Sequence, residues 1–212
     1  MTDPTPTTRR AHVAVEGHGE VAAAGNLLTR LVQERLQGPL RWAPPRRGKL
    51  QGGVDALART AMAYRHEPRC DALLLLRDED DACPREAGPI AAARLRDLKL
   101  PFPVAYVMLH REYEVLFLPC LGRMSVARAD GRPGLLPGSV WSGPWEAKRG
   151  IKERLSAMMP RGQSYKPSVD QLAFTQMIDL AELAAAEVPC FGTLERAVAF
   201  LAIAGPGEVY PR

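Results

Sequence analysis

Apolar residues follow two different spacings along this chain. Residues 12–16 (His-Val-Ala-Val-Glu), 72–77 (Ala-Leu-Leu-Leu-Leu-Arg) and 104–109 (Val-Ala-Tyr-Val-Met-Leu) are short, nearly continuous apolar runs. That pattern marks strands buried on both faces of a parallel sheet. Between them the spacing turns helical. Ala24, Leu27, Leu28, Leu31 and Val32 predict a helix over residues 20–37, stopped by Gly38-Pro39. Two more helices are predicted over 54–66 and 90–98, and Leu40-Arg41-Trp42-Ala43 reads as a short extra strand. Strands alternating with helices imply βαβ units, hence an α/β, Rossmann-like, mostly parallel sheet flanked by helices. After Leu121 the pattern changes. Residues 122–145 are rich in Gly and Pro and read as an extended loop, and helices are expected at 146–159, 169–177, 180–187 and 193–202. The organisation expected is a disordered lead (1–10), an α/β core (11–121), the loop (122–145) and a helical C-terminal region (146–212) packed on the core.

Composition narrows the class. With 46% hydrophobic residues in 212, the chain has ample material for one core. No run of 18 apolar residues exists, so no membrane span is expected, and the N-terminus lacks the apolar stretch of a signal peptide. Cys70, Cys83, Cys120 and Cys190 are scattered without metal-site spacing. These features fit a reduced, cytoplasmic protein. A net charge of +4 is compatible with a nucleic-acid partner without requiring one.

Chemistry concentrates at the strand ends. Asp78-Glu79-Asp80-Asp81 leaves the apolar run at 72–77, where open α/β sheets bind ligands. Acids gathered there repel one another unless they are solvated or share a cation. Glu16 ends the first strand, and Glu20 follows the turn Gly17-His18-Gly19. If the two strands are neighbours, Glu16 and Asp78 emerge at one sheet edge within reach of a shared ion. A competing reading takes Gly17-x-Gly19-x-x-Ala22 as a dinucleotide fingerprint. Against it, residues 38–42 offer no acid for a ribose, and Glu16 would repel a pyrophosphate. Arg41, Arg46, Arg47 and Lys49 form a basic loop beside Trp42 that suits phosphate contacts and base stacking.

Val15-Glu16-Gly17-x-x-Glu20, followed by a hydrophobic strand ending Asp78-x-Asp80-Asp81, resembles the Toprim domain of topoisomerases, bacterial-type primases and overcoming-lysogenization-defect nucleases. The chain is more closely similar to the Toprim-like family called domain of unknown function 4276. Residues 110–118 (His-Arg-Glu-Tyr-Glu-Val-Leu-Phe-Leu), 150–155 (Gly-Ile-Lys-Glu-Arg-Leu) and 165–171 (Tyr-Lys-Pro-Ser-Val-Asp-Gln) carry that closer likeness. The resemblance implies that Glu16 acts in acid/base chemistry or as a ligand, and that Asp78 and Asp80 hold Mg²⁺ or Mn²⁺. Glu20, Asp81, Glu112 and Glu114 are candidate further ligands, and Lys166 is a candidate for steadying a phosphoryl oxygen.

The implied function is metal-dependent phosphodiester cleavage of nucleic acid, DNA in preference to RNA, by a Toprim-type nuclease. The chain lacks a phosphate-binding G-x-x-x-x-G-K-[ST] loop. By analogy, an ATPase would be supplied in trans, in anti-phage defence. The alternative is a non-catalytic binding or assembly subunit of the same fold.

Overall fold

The computed structural model describes residues 8–147 and 149–212. The chain runs β1 (Arg9–Val15), α1 (His18–Arg30), β2 (Leu40–Trp42), β3 (Arg46–Arg47), α2 (Val54–Ala63), β4 (Ala72–Asp78), α3 (Pro84–Arg96) and β5 (Val104–Leu109). A π-helical segment, Leu31–Leu36, prolongs α1 and ends on Gln37 in the left-handed region. After β5 come two 3₁₀ segments, Tyr113–Cys120 and Arg123–Ser125. Then follow α4 (Ile151–Ala157), α5 (Pro167–Met177), α6 (Leu180–Ala185), α7 (Pro189–Ile203) and β6 (Val209–Tyr210).

The strands form one sheet in the order β2-β1-β4-β5-β6, with β3 pairing the end of β1, and every pairing is parallel. The fold is therefore α/β and Rossmann-like, as the alternating pattern predicts. From β1 the chain steps outward to β2, then returns across β1 to β4. The strand order thus reverses between β1 and β4, and such a switch point opens a crevice at the carboxyl ends of its strands. No described helix is long and apolar enough to cross a membrane.

Two apolar layers cover the sheet. Val13, Val15, Leu74, Leu76, Val107 and Leu109 face α1, α5 and α7, while Ala14, Leu73, Leu75, Tyr106 and Met108 face α2 and α3. The period of two along each strand assigns these faces. The C-terminal helices share the first layer with the sheet: Phe174, Leu194 and Val198 are fully buried in it.

Several predicted boundaries move. Arg9 and Arg10 belong to β1 rather than to the expected lead, and residues 1–7 of that lead lie outside the described residues. The helix expected at 90–98 begins at Pro84, whose fixed φ suits a first helical position. The helix expected at 146–159 begins only at Ile151. Glu146 turns its carboxylate to the Cys190 N–H at the start of α7, and Gly150, at φ 73°, breaks the chain direction. The strands β3 and β6 and the 3₁₀ segment at Tyr113–Cys120 are not apparent in the pattern of the sequence.

Gly19 decides how α5 reaches the sheet end. A Cβ there would lie 2.3 Å from Gln171 Oε1 and 2.5 Å from the Pro167 carbonyl oxygen. The first turn of α1 is therefore packed directly against the start of α5. A pyrophosphate in a dinucleotide site needs that same space, which disfavours the fingerprint reading of Gly17 and Gly19.

Candidate functional site

The carboxyl ends of β1 and β4 gather an acidic centre around one lysine. Lys152, in the first turn of α4, places its Nζ 3.4 Å from Glu112 Oε1, 3.4 Å from Glu114 Oε2 and 3.8 Å from Asp78 Oδ2. Glu114 is fully buried, and its Oε1 accepts from Tyr165 Oη at 2.8 Å and from Gln171 Nε2 at 3.3 Å. Glu112 Oε2 accepts the backbone N–H groups of Ile151 and Lys152, so it caps α4 while its other oxygen faces the ammonium. Asp78 Oδ1 is buried without a hydrogen-bond partner.

The electrostatics follow from that packing. Burial raises the Asp78 carboxyl well above its ordinary value, repulsion from Glu20 and Glu114 adds to the rise, and Lys152 opposes it. Burial also raises Glu114, against the stabilising effect of Lys152 and the Tyr165 hydroxyl. For Lys152, burial pulls the ammonium down, but Glu114, Asp78 and Glu112 outweigh it and the net shift is upward. Lys152 is thus firmly protonated.

Glu16 occupies the flank of this centre. Alternation along β1 puts it on the Ala14 side of the sheet, whereas Asp78 continues the opposite face of Leu74 and Leu76. Its Oε2 accepts from Gln51 Nε2 at 3.1 Å, and its Oε1 is buried without a partner. Burial raises its carboxyl, the Gln51 bond opposes this, and Arg77 is the nearby cation. Glu20 links the two faces. It is buried, its Oε2 accepts the Glu16 N–H at 3.1 Å, and its charge acts on Asp78.

The other predicted residues lie further out. Asp80 is exposed, and its carbonyl oxygen accepts from Arg111 Nη1. Asp81 is exposed and ion-paired with Arg149. Glu79, between Asp78 and Asp80, is buried: its Oε1 accepts the N–H groups of Asp81 and Ala82, and its Oε2 pairs with Arg77 at 2.8 Å. Lys166 is exposed at the N-cap of α5, where its N–H donates to Asp170 Oδ2. Of the basic loop, Arg46 forms a bidentate pair with Glu67, and Arg47 bonds the Glu16 carbonyl and the His18 ring. Arg41 and Lys49 are exposed. Trp42 packs partly buried and donates its indole N–H to the Leu28 carbonyl, so its ring belongs to the core margin.

Sequence reasoning passed over Lys152 as a functional group. One weak signal was present: a lysine in the first turn of a helix is mildly disfavoured by the helix dipole, which nearby acids offset.

The donors around Asp78 suit a hard divalent cation chemically, because all are carboxylate oxygens and Asp78 Oδ1 is buried and unpartnered. As arranged, with Lys152 among them, no group of three or more Asp, Glu, His or Cys side chains among the described residues is set to hold a metal ion. A cleft of about 1010 Å³ runs from Asp81 and His110 to Tyr210 between α3 and α7, and its lining includes none of Asp78, Glu112, Glu114 and Lys152.

Fold and site together define a Rossmann-like α/β protein with a carboxylate-and-lysine centre at its topological switch point. The chain belongs to the family described as Domain of unknown function (DUF4276), whose model matches residues 15–199. No curated protein and no solved structure matches it.

Proposed function

We propose that the chain is a Toprim-type nuclease that cleaves phosphodiester bonds of nucleic acid with Mg²⁺ or Mn²⁺. The observation that supports this best is Asp78: a half-buried carboxylate at the switch point, with one oxygen buried and unpartnered and Glu20, Glu112 and Glu114 around it. An acid cluster so costly to desolvate has a reason to exist if it binds a cation. Asp78, Glu112 and Glu114 would hold the ion, with Glu20 beside them. A bound ion would supply charge neutralisation at the phosphoryl oxygens. Glu16 would take a proton from the attacking water: burial raises its carboxyl above the ordinary value, and the hydrogen bond from Gln51 orients it. Arg41 and Lys49 offer exposed charge for the phosphate backbone. A Toprim-type assignment also makes an ATPase partner in trans and a role in anti-phage defence part of this proposal.

The test is incubation of the full chain with DNA and RNA in Mg²⁺, Mn²⁺ or EDTA. Cleavage that needs metal and is lost in Asp78→Ala is expected. Absence of metal-dependent cleavage, or cleavage indifferent to Asp78→Ala, overturns the nuclease. A second reading, a non-catalytic binding subunit, is favoured by one observation: Lys152 already compensates the acids. It predicts nucleic-acid binding that EDTA leaves unchanged.

A further inference from the structure

We propose that the pocket between the basic loop and α2 is a phosphomonoester site, which holds the phosphorylated end of a nucleic-acid strand beside Glu16. The nucleic-acid part rests on the function proposed above, and the site adds to it a preference for strand ends.

The lining of this pocket carries four cations, Arg46, Arg47, Lys49 and Arg59, together with Thr60 and Tyr64, and no carboxylate. Arg46 has a counter-charge in its bidentate pair with Glu67. Arg47 bonds neutral acceptors instead, the Glu16 carbonyl at 2.9 Å and His18 Nε2 at 2.6 Å. Lys49 and Arg59 are exposed and have no ion-pair partner among the described residues. Three positive charges thus face one small space with nothing to balance them, and a bound anion relieves their repulsion. An internal phosphodiester brings a single negative charge. A terminal phosphate brings about −1.5 to −2 and three acceptor oxygens, so a strand end matches the set better.

The surrounding chain holds the pocket in shape. β3 pairs the end of β1, and the Gly48 N–H donates to the Val15 carbonyl at 2.8 Å. Thr60 Oγ1 donates to the Lys49 carbonyl at 2.8 Å. A Cβ on Gly48 would lie 2.7 Å from Thr60 Cγ2, so the loop rests directly against α2. Tyr64 is buried, yet its hydroxyl has no hydrogen-bond partner among the described residues, which leaves a donor in the lining for a phosphoryl oxygen. At about 360 Å³ the pocket admits one nucleotide-sized group and not a run of strand. The bond from Arg47 to the Glu16 carbonyl sets it next to the acid proposed to take the proton.

The experiment measures, by fluorescence anisotropy in EDTA, binding of the full chain to three single DNA strands of one sequence, labelled mid-strand. One ends in a 5′-phosphate, one in a 3′-phosphate and one in hydroxyls only. One of the phosphorylated strands is expected to bind about tenfold more tightly than the hydroxyl-ended strand. The double variant Lys49→Gln with Arg59→Gln, both at exposed positions, is expected to bring the three strands level. Equal binding of all three by the wild-type chain, or a preference that survives the double variant, overturns the site and leaves the nuclease reading standing. An end preference in a chain that shows no metal-dependent cleavage overturns the nuclease alone. Calorimetry with a nucleoside monophosphate separates the two sources of a phosphomonoester. If it binds as tightly as the phosphorylated strand, the pocket serves free nucleotides and the strand-end assignment falls. If neither it nor any strand binds, the whole proposal falls.

Discussion

Asp78 is where stability and function pull apart. Its carboxyl is raised in the folded chain, so the folded state holds its proton more tightly than the unfolded state does. Ionised Asp78 therefore costs stability, and the cost is fully present above the raised value. It falls away as pH drops through that value toward the ordinary carboxyl range near ~4. Asp78→Asn is expected to melt a few degrees higher than the wild type near neutral pH. The gap should close as both are acidified toward pH ~4, because the wild-type carboxyl is then protonated too. Comparing the two chains at each pH cancels the opposite contribution of His12, whose buried ring is lowered. A difference in melting temperature that does not change with pH would count against the assignment. The same variant is expected to lose metal-dependent cleavage by roughly 100-fold or more, read as initial rates at saturating Mn²⁺. Asp80 is exposed, so Asp80→Ala should leave the melting temperature nearly unchanged.

At the scale of elements, α5 holds the site's inner wall. It supplies Gln171 to Glu114, and it is pinned from the long loop by Arg128, which is buried against the fully buried Asp170 and lies over the Phe174 ring. Removing one partner strands a buried charge, so Arg128→Ala is expected to cost about 3–5 kcal/mol in denaturant unfolding. Pairing it with Asp170→Ala should cost less than the sum of the single changes, and an additive result would refute the coupling. Gly19→Ala tests the α1–α5 contact. Its new methyl meets the Pro167 carbonyl at 2.5 Å, which a flexible side chain cannot relieve. A loss of about 1–3 kcal/mol is expected from the forced separation.

Considered whole, the molecule shares its larger core between the α/β portion and the C-terminal helices. Fully buried Phe174, Leu194 and Val198 pack with Leu74, Leu76 and Val107. Far-ultraviolet dichroism and tryptophan fluorescence should therefore report one coincident unfolding transition, and a chain ending at Leu121 should not fold. Association with nucleic acid belongs to this scale as well, because it depends on summed charge. Lys49→Ala is expected to reduce the slope of log binding constant against log salt by about 1. A slope left unchanged would remove the basic loop from the contact surface.

Much of the architecture was legible in the sequence because burial on both faces writes itself as unbroken apolar runs. The run at 104–109 coincides with β5, and that at 72–77 matches β4 to within one residue. Glu16 and Asp78 were legible as acids at strand ends for the same reason, and Glu20 as an acid just past the turn that follows the first strand. Which of them face one another was not, since pleat direction depends on register. Glu20, in the first turn of α1, rather than Glu16 at the end of β1, is thus the acid acting on Asp78. Lys152 was hidden for a different reason: it lies 74 residues beyond Asp78 and reaches it only because Glu112 and Arg149 tie the start of α4 across the end of β4. By itself, then, the sequence determined β1, β2, β4 and β5, their parallel pairing and the acidic strand ends, all of which follow from local period and composition. The tertiary structure alone decided which charges share a site, because charge pairing depends on distance in space and only packing brings α4 and α5 to the carboxyl end of the sheet.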